Sequence, residues 1–158
     1  MKLRIAAVLS VCTASIMPVG AAASFAARAD DFRDAIYSGV GELRQACGPI
    51  ADDPRLTAAA QRHADDLATN GIEHGHVGSD GSSPWARVLD AGYVKPRDTS
   101  EILFWGSGSH ANPATALDLW MQSPPHREVI LDCAFTAVGF AIAWTGNTLI
   151  AVGDFAAS

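Results

Sequence analysis

Positive charge is scarce in this chain: eleven Lys and Arg, only two of them lysine, stand against 17 Asp and Glu, a formal net charge of −6 over 158 residues. Such a surface repels phosphate backbones. With no basic stripe and no interleaving of aromatic and basic residues, the sequence offers no footing for nucleic acid or for an anionic membrane surface. Internal repeats and low-complexity tracts are also absent. Hydrophobic residues make up 49% and charged residues only 18%, which supports one packed domain rather than disorder. The single long apolar run, Ile5 to Ile16, is too short to span a bilayer as a helix. A Gly-x-Ser-x-Gly elbow is missing as well, which disfavours a serine-triad enzyme.

What the apolar run does resemble is the core of an export signal, with Lys2 and Arg4 as its basic start and small residues after it. Cleavage is expected after Ala29, where Asp30 and Asp31 open an amphipathic segment, or earlier, after Ala23. Residues 1–29 are thus read as a signal peptide and 30–158 as one domain, secreted or held at the cell envelope. Removal of Lys2, Arg4 and Arg28, with no acid lost, takes the net charge from −6 to −9. Cys12 would leave with the signal. That leaves Cys47 and Cys133 in an oxidising compartment, economically read as one disulfide, with two separate buried thiols as the alternative. A bridge would close a loop of roughly 87 residues, for which chain entropy suggests about 4 to 5 kcal/mol as an upper figure.

Along the chain, Phe32, Ile36, Val40, Leu43 and Cys47 recur at helical spacing up to Gly48-Pro49. Asp53-Pro54 opens a second helix with Leu56, Ala60, Ala64 and Leu67 inward, ending at Asn70-Gly71. Residues 72–81 carry no helical period and close on a Ser79-Asp80-Gly81 turn, so His74 and His76 are expected in a loop. A short helix follows Ser83-Pro84, with Trp85, Val88 and Leu89 on one side. Pro96 to Thr99 reads as loop and Glu101 to Trp105 as strand. Asn112-Pro113 caps a helix whose Leu117, Trp120 and Met121 face the core, and Ser123-Pro124 begins another helical turn. Ala137 to Trp144 and Thr148 to Phe155 form an antiparallel pair about Gly146. This order of elements permits an α+β fold, an α-β-α sandwich with a small antiparallel sheet between helical layers.

Chemistry centres on the histidines and one glutamate. In an extended segment His74 and His76 point the same way and could converge on an ion, with a distant carboxylate completing the site. Glu101 heads an otherwise apolar strand, where a carboxylate must find a partner or stay near solvent. His126 lies three residues after Ser123, where the helix N-terminus disfavours the imidazolium and leaves the ring free as ligand or base. His63, close to an apolar stripe, is expected in the core and His110 in a loop, both outside the site. Glycosidase chemistry needs two carboxylates flanking a cleft; Asp80 and Glu101 can be suggested, but nothing in the sequence pairs them.

Taken in order, these motifs resemble the bacterial branch of the CAP superfamily, the SCP-like extracellular domains related to cysteine-rich secretory proteins, antigen 5 and plant pathogenesis-related proteins. The likeness runs from about Phe32 to Phe155. His76 to Gly81 is similar to the family's histidine and following Ser-Pro-Asp-Gly-type turn, and Arg87 with Gly92-Tyr93 to the segment after it. Ser100-Glu101-Ile102 resembles its Gly-Glu-Asn, and Trp120-Met-Gln-Ser-Pro-Pro-His-Arg127 its Trp-x-x-Ser-Pro-Gly-His-Arg. Ile130-Leu131 and Phe135 to Gly139 resemble its closing pattern. The resemblance implies an α-β-α sandwich with a central cleft where His76, Glu101 and His126 sit, residues that in some members hold zinc or another divalent cation. Ile102 stands in place of Asn and Pro125 in place of Gly, and no second glutamate lies between Asp118 and Gln122, so three cleft residues carry over rather than four. His74, Ser100 and Asp80 are accessory. The implied protein is a monomer that binds a lipid, a sterol or a protein ligand, or a divalent metal. A metal-dependent extracellular hydrolase and a non-catalytic interaction domain are the alternatives.

Overall fold

The computed structural model describes residues 19–158; the apolar run from Ile5 to Ile16 and Cys12 lie outside the described residues. Helix α1 (Val19–Leu43) runs through Ala29 without a break and buries the expected stripe of Phe32, Ile36 and Val40. It stops at Leu43, a turn earlier than the stripe suggested, and Arg44 to Cys47 continue as turns. Helix α2 (Pro54–Asn70) starts as read: the Asp53 side chain accepts from the Arg55 amide, Pro54 needs no amide donor there, and Gly71 closes it at φ 117°. A 3₁₀ turn, Ile72–His74, follows where loop alone was expected. Helix α3 (Pro84–Asp90) buries Arg87 and Val88, and contrary to the expected apolar side it leaves Trp85 and Leu89 exposed. Helices α4 (Pro113–Gln122) and α5 (Pro124–Leu131) meet at Ser123.

Strands β1 (Ala51–Asp52), β2 (Asp98–Ser107), β3 (Ala137–Thr145) and β4 (Thr148–Ala157) make one sheet in the order β1-β3-β4-β2. The three long strands are antiparallel, with Glu101 opposite Asp154 and Gly139 on that residue's other side. The two-residue β1, which has no signal in the sequence, adds a parallel pair to β3. The hairpin between β3 and β4 turns at Gly146, at φ 57°.

Side chains alternate across this sheet, and each face is covered. Toward α1, α4 and α5 lie Phe104, Phe140 and Phe155, which with Trp120 of α4 stack or meet edge-on at centroid distances of 5.8 to 6.4 Å. Toward α2 lie Leu103, Ala141, Ile150 and Val152 against Ala60, Ala64 and Leu67. The sandwich of the sequence reading is therefore present. Helix α2 lies so close to the sheet that a Cβ at Gly139 would collide with the Thr57 nitrogen and the Leu56 carbonyl carbon. Only glycine permits that approach.

Two ties fasten the end of α1 to the segment after α5. Cys47 and Cys133 form a disulfide across 86 residues. Beside it Arg44, fully buried, donates to the carbonyls of Ile130 (2.5 Å), Asp132 (2.9 Å) and Phe135 (2.6 Å). These include carbonyls at the end of α5, where a cation is favoured. Burial pulls the guanidinium pKa down and Asp132 pushes it back up. Replacing Arg44 by Met should therefore cost about 2–4 kcal/mol, since buried acceptors lose their donors. Urea denaturation at pH 7 measures this, and a loss below about 1 kcal/mol would show that the carbonyls are satisfied without it.

Candidate functional site

The site forms where the α2-facing side of the sheet meets the loop after α2. Glu101 is on β2 and points to that side, like Leu103 two residues on. Its side chain is buried, and each oxygen is taken. Oε2 accepts from Arg87 Nη2 at 2.6 Å and Oε1 from His76 Nδ1 at 2.8 Å. The carboxylate at the head of an apolar strand thus does find partners, and the first is a buried arginine from α3. Arg87 also donates to the carbonyls of Ser82 (2.8 Å) and His76 (3.0 Å), so one guanidinium fixes the strand, the α3 N-terminus and the histidine loop together.

Two further buried groups complete the cluster, and both were missed from the sequence. His63 was expected outside the site. It is indeed a core residue of α2, yet its Nε2 lies 3.7 Å from Glu101 Oε1 and 2.7 Å from the Gly75 carbonyl. A carbonyl only accepts, so Nε2 carries the proton and Nδ1 is bare. Burial lowers the His63 pKa, against the attraction of Glu101, and keeps the ring neutral. Asp154, 1% exposed, sits directly across from Glu101 on β4. Neither of its oxygens meets a donor. Burial first, and the charge of Glu101 second, raise its pKa well above the ordinary carboxyl value. Two carboxyls share one buried cation, so the neutral arrangement is an Arg87–Glu101 ion pair beside a protonated Asp154, whose own proton can then be donated to Glu101. An aspartate within the apolar run Ile150-Ala-Val-Gly-Asp154-Phe155 was the available signal.

Of the remaining expected residues, His76 has a half-exposed ring whose Nε2 is left free by the Nδ1 bond to Glu101. His126 occupies the first turn of α5, half-buried, with no hydrogen bond to its ring among the described residues. Ser123 precedes that helix without capping it by its side chain. Burial, and after it the charge of His76, lower the His126 pKa. Ser100 lines the cleft with His76, Trp85 and Glu101 around a depression of about 370 Å³. His126 borders a second, of about 310 Å³, with Trp105 and Leu119. His74 is exposed on its 3₁₀ turn, and Asp80 is turned away to Arg62 at 2.7 Å. Asp80 and Glu101 thus form no pair. Among the described residues no three His, Cys, Asp or Glu side chains are gathered to hold a metal ion.

A family profile described as the cysteine-rich secretory protein family, CAP, matches residues 29–155. A search of curated proteins returns no match. Among solved structures, an outer surface protein of Borrelia burgdorferi is similar at TM-score 0.69 and 24% identity, over 80% of this chain and 92% of that one. An extracellular protein of Bacillus anthracis containing a SCP domain is similar at TM-score 0.70 and 18% identity, over 82% of this chain but only 41% of its own. NaASP2, solved with Zn2+, is similar at TM-score 0.55 and 14% identity, over 78% of each chain.

The protonated Asp154 gives a pH signature. Its folded pKa lies above its unfolded value, so it contributes stability below the unfolded pKa, and that contribution falls as pH rises from about 4 toward the folded value, at up to ~1.4 kcal/mol per pH unit. Asp154→Asn should abolish this slope, gaining on the parent chain at pH 8 and losing to it near pH 4 in paired denaturation curves. Parallel stability profiles for the two proteins would contradict a neutral Asp154. Separately, Arg87→Met should cost about 3–5 kcal/mol by leaving the Glu101 charge in the interior without its cation, and adding Glu101→Gln should recover part of the loss.

Proposed function

Because the chain belongs to the CAP family of cysteine-rich secretory proteins, we propose that it is exported by its first 29 residues and acts outside the cell as a ligand-binding module, with a divalent cation such as zinc held between His76 and His126. The observation that carries this reading is the 2.8 Å bond from His76 Nδ1 to Glu101 Oε1. It fixes the tautomer and turns the lone pair of Nε2 toward the cleft, the carboxylate-to-histidine arrangement that raises the basicity of metal-binding imidazoles. The lowered pKa of His126 keeps that ring neutral, and so able to bind a cation, to more acidic pH than a free imidazole.

The donor set fits two imidazole ligands. Glu101 orients the first from behind, since both of its oxygens are engaged by His76 and Arg87. A bound zinc ion would leave coordination places for water or for an oxygen of a ligand, and would act there as a Lewis acid. The fold shared with NaASP2, solved with Zn2+, supports the reading by analogy of architecture. Binding ranks above catalysis because none of the hydroxyls that line the two depressions, those of Ser83, Thr99, Ser100 and Ser123, is hydrogen-bonded to a histidine among the described residues. An exported working place agrees with the disulfide and with the extracellular and outer-surface proteins that share the fold.

Zinc titrated calorimetrically into metal-free protein should bind one to one. His76→Ala and His126→Ala should each abolish stoichiometric binding, and Glu101→Gln should weaken it by about 10–100-fold while leaving one site. Equal zinc affinity in the parent chain and both histidine variants would remove the cation from the reading.

A further inference from the structure

We infer that the ligand of this cleft is a peptide in extended conformation, added as a fifth strand along the free edge of β2. The inference rests on the reading that the cleft is a ligand site and goes further by naming the ligand's chemistry.

The argument starts from the sheet order, β1-β3-β4-β2, which leaves β2 with a neighbour on one side only. In a strand, each residue's N–H and C=O point to the same side, and the side alternates along the chain. The amides of Ala51 and Asp53 bond to the carbonyls of Thr136 and Val138, so even-numbered residues there face β1 and odd-numbered residues of β3 face β4. The registers Gly139↔Asp154 and Ser100↔Phe155 run unbroken along both ladders, which carries the alternation across the sheet. Even residues of β2 therefore bond to β4, and the main-chain groups of Thr99, Glu101, Leu103 and Trp105 point out of the sheet. Two observations agree with this assignment: the Thr99 amide bonds to Asp98 Oδ1, and the Leu103 carbonyl accepts from Trp120 Nε1, each at 2.8 Å. For the amide and carbonyl of Glu101 and those of Trp105, no hydrogen bond outside the ladder exists among the described residues.

A row of amides and carbonyls at strand spacing is answered by another main chain, whereas a lipid or sterol supplies no matching row of donors and acceptors. The walls also suit an added strand, whose successive side chains point to opposite sides. On the α3 side lies the depression holding His76 and Trp85; on the α4 and α5 side lie the one bordered by Trp105 and Leu119 and another, of about 330 Å³, bordered by Asp98 and Glu128. From Thr99 to Trp105 the edge spans about 20 Å, the length of a heptapeptide strand. The acidic residues at one end, Asp98, Glu128 and Asp132, and the exposed Trp105 and Leu119 at the other select a peptide with a basic side chain over the first and a large apolar one over the second.

The probe is a library of acetylated, amidated heptapeptides carrying Arg at one end and Phe or Leu at the other, in both directions, titrated into the full chain with zinc present and again with chelator. The tightest member is then resynthesised with one N-methyl amide at a time. Methylation should weaken binding by about tenfold or more at alternate positions and leave the intervening ones within about twofold, because only every second amide faces the edge. The amides of Glu101 and Trp105 should gain protection from hydrogen exchange, while those of Ile102 and Phe104 stay as they are. Absence of peptide binding at millimolar concentration, a uniform response to methylation, or cholesterol binding without protection at Glu101 and Trp105 would each overturn the inference. The cation reading is judged separately: an alternating pattern that persists in chelator shows strand addition without the metal, and zinc binding with no peptide bound shows the reverse.

Discussion

The contact between Arg87 and Glu101 is the constraint on which the site depends. One guanidinium holds the carboxylate on β2, the loop carbonyl of His76 and the carbonyl of Ser82 just before α3, so three separate segments share a single point of attachment. A buried ion pair of this kind adds little net stability against a well-packed apolar substitute. Its contribution is positional. Without it, Glu101 would have no reason to lie beside His76, and the imidazole would not be turned to offer its outer nitrogen to the cleft.

The same pair explains the protonation pattern of its neighbours. Glu101 carries the negative charge that Arg87 neutralises, which leaves Asp154 no cation of its own and holds it in the protonated form. His63, beneath them, is neutral for the same reason of burial, and uses its one proton on the Gly75 carbonyl. The interior of the cluster is therefore balanced, and the free lone pair lies at its rim, on Nε2 of His76.

Much of the fold was legible because local signals and global structure agree: Asp53-Pro54, Ser83-Pro84 and Asn112-Pro113 each start a helix where their chemistry says they should. The order of elements permitted the sandwich and the family resemblance implied it, while compartment and cysteine count favoured the disulfide over two separate thiols. The two-residue β1 was not legible, since a strand that short has no period to read. In the site, the bond between His76 and Glu101 joins residues 25 apart, and only the family resemblance brought them into one cleft. His63 was rightly expected in the core, but its nearness to Glu101 was not foreseen, because an apolar stripe says that a residue is inward without saying what it meets there. Asp154 was passed over inside a run that read as strand, although its pairing opposite Glu101 depends on register, which no single strand reveals.

One small feature bears on how such a protein survives in solution. A long strand with an open edge invites pairing with the same strand of another molecule, and from there the stacking of sheet on sheet that ends in aggregates. Trp120 places its indole N–H on the Leu103 carbonyl, in the middle of that edge. The edge therefore offers one acceptor fewer than an uninterrupted ladder would, so a partner that matches the free groups of Glu101 and Trp105 is favoured over indiscriminate pairing of one β2 with another. The residue that anchors the aromatic core thus also makes the open edge more selective.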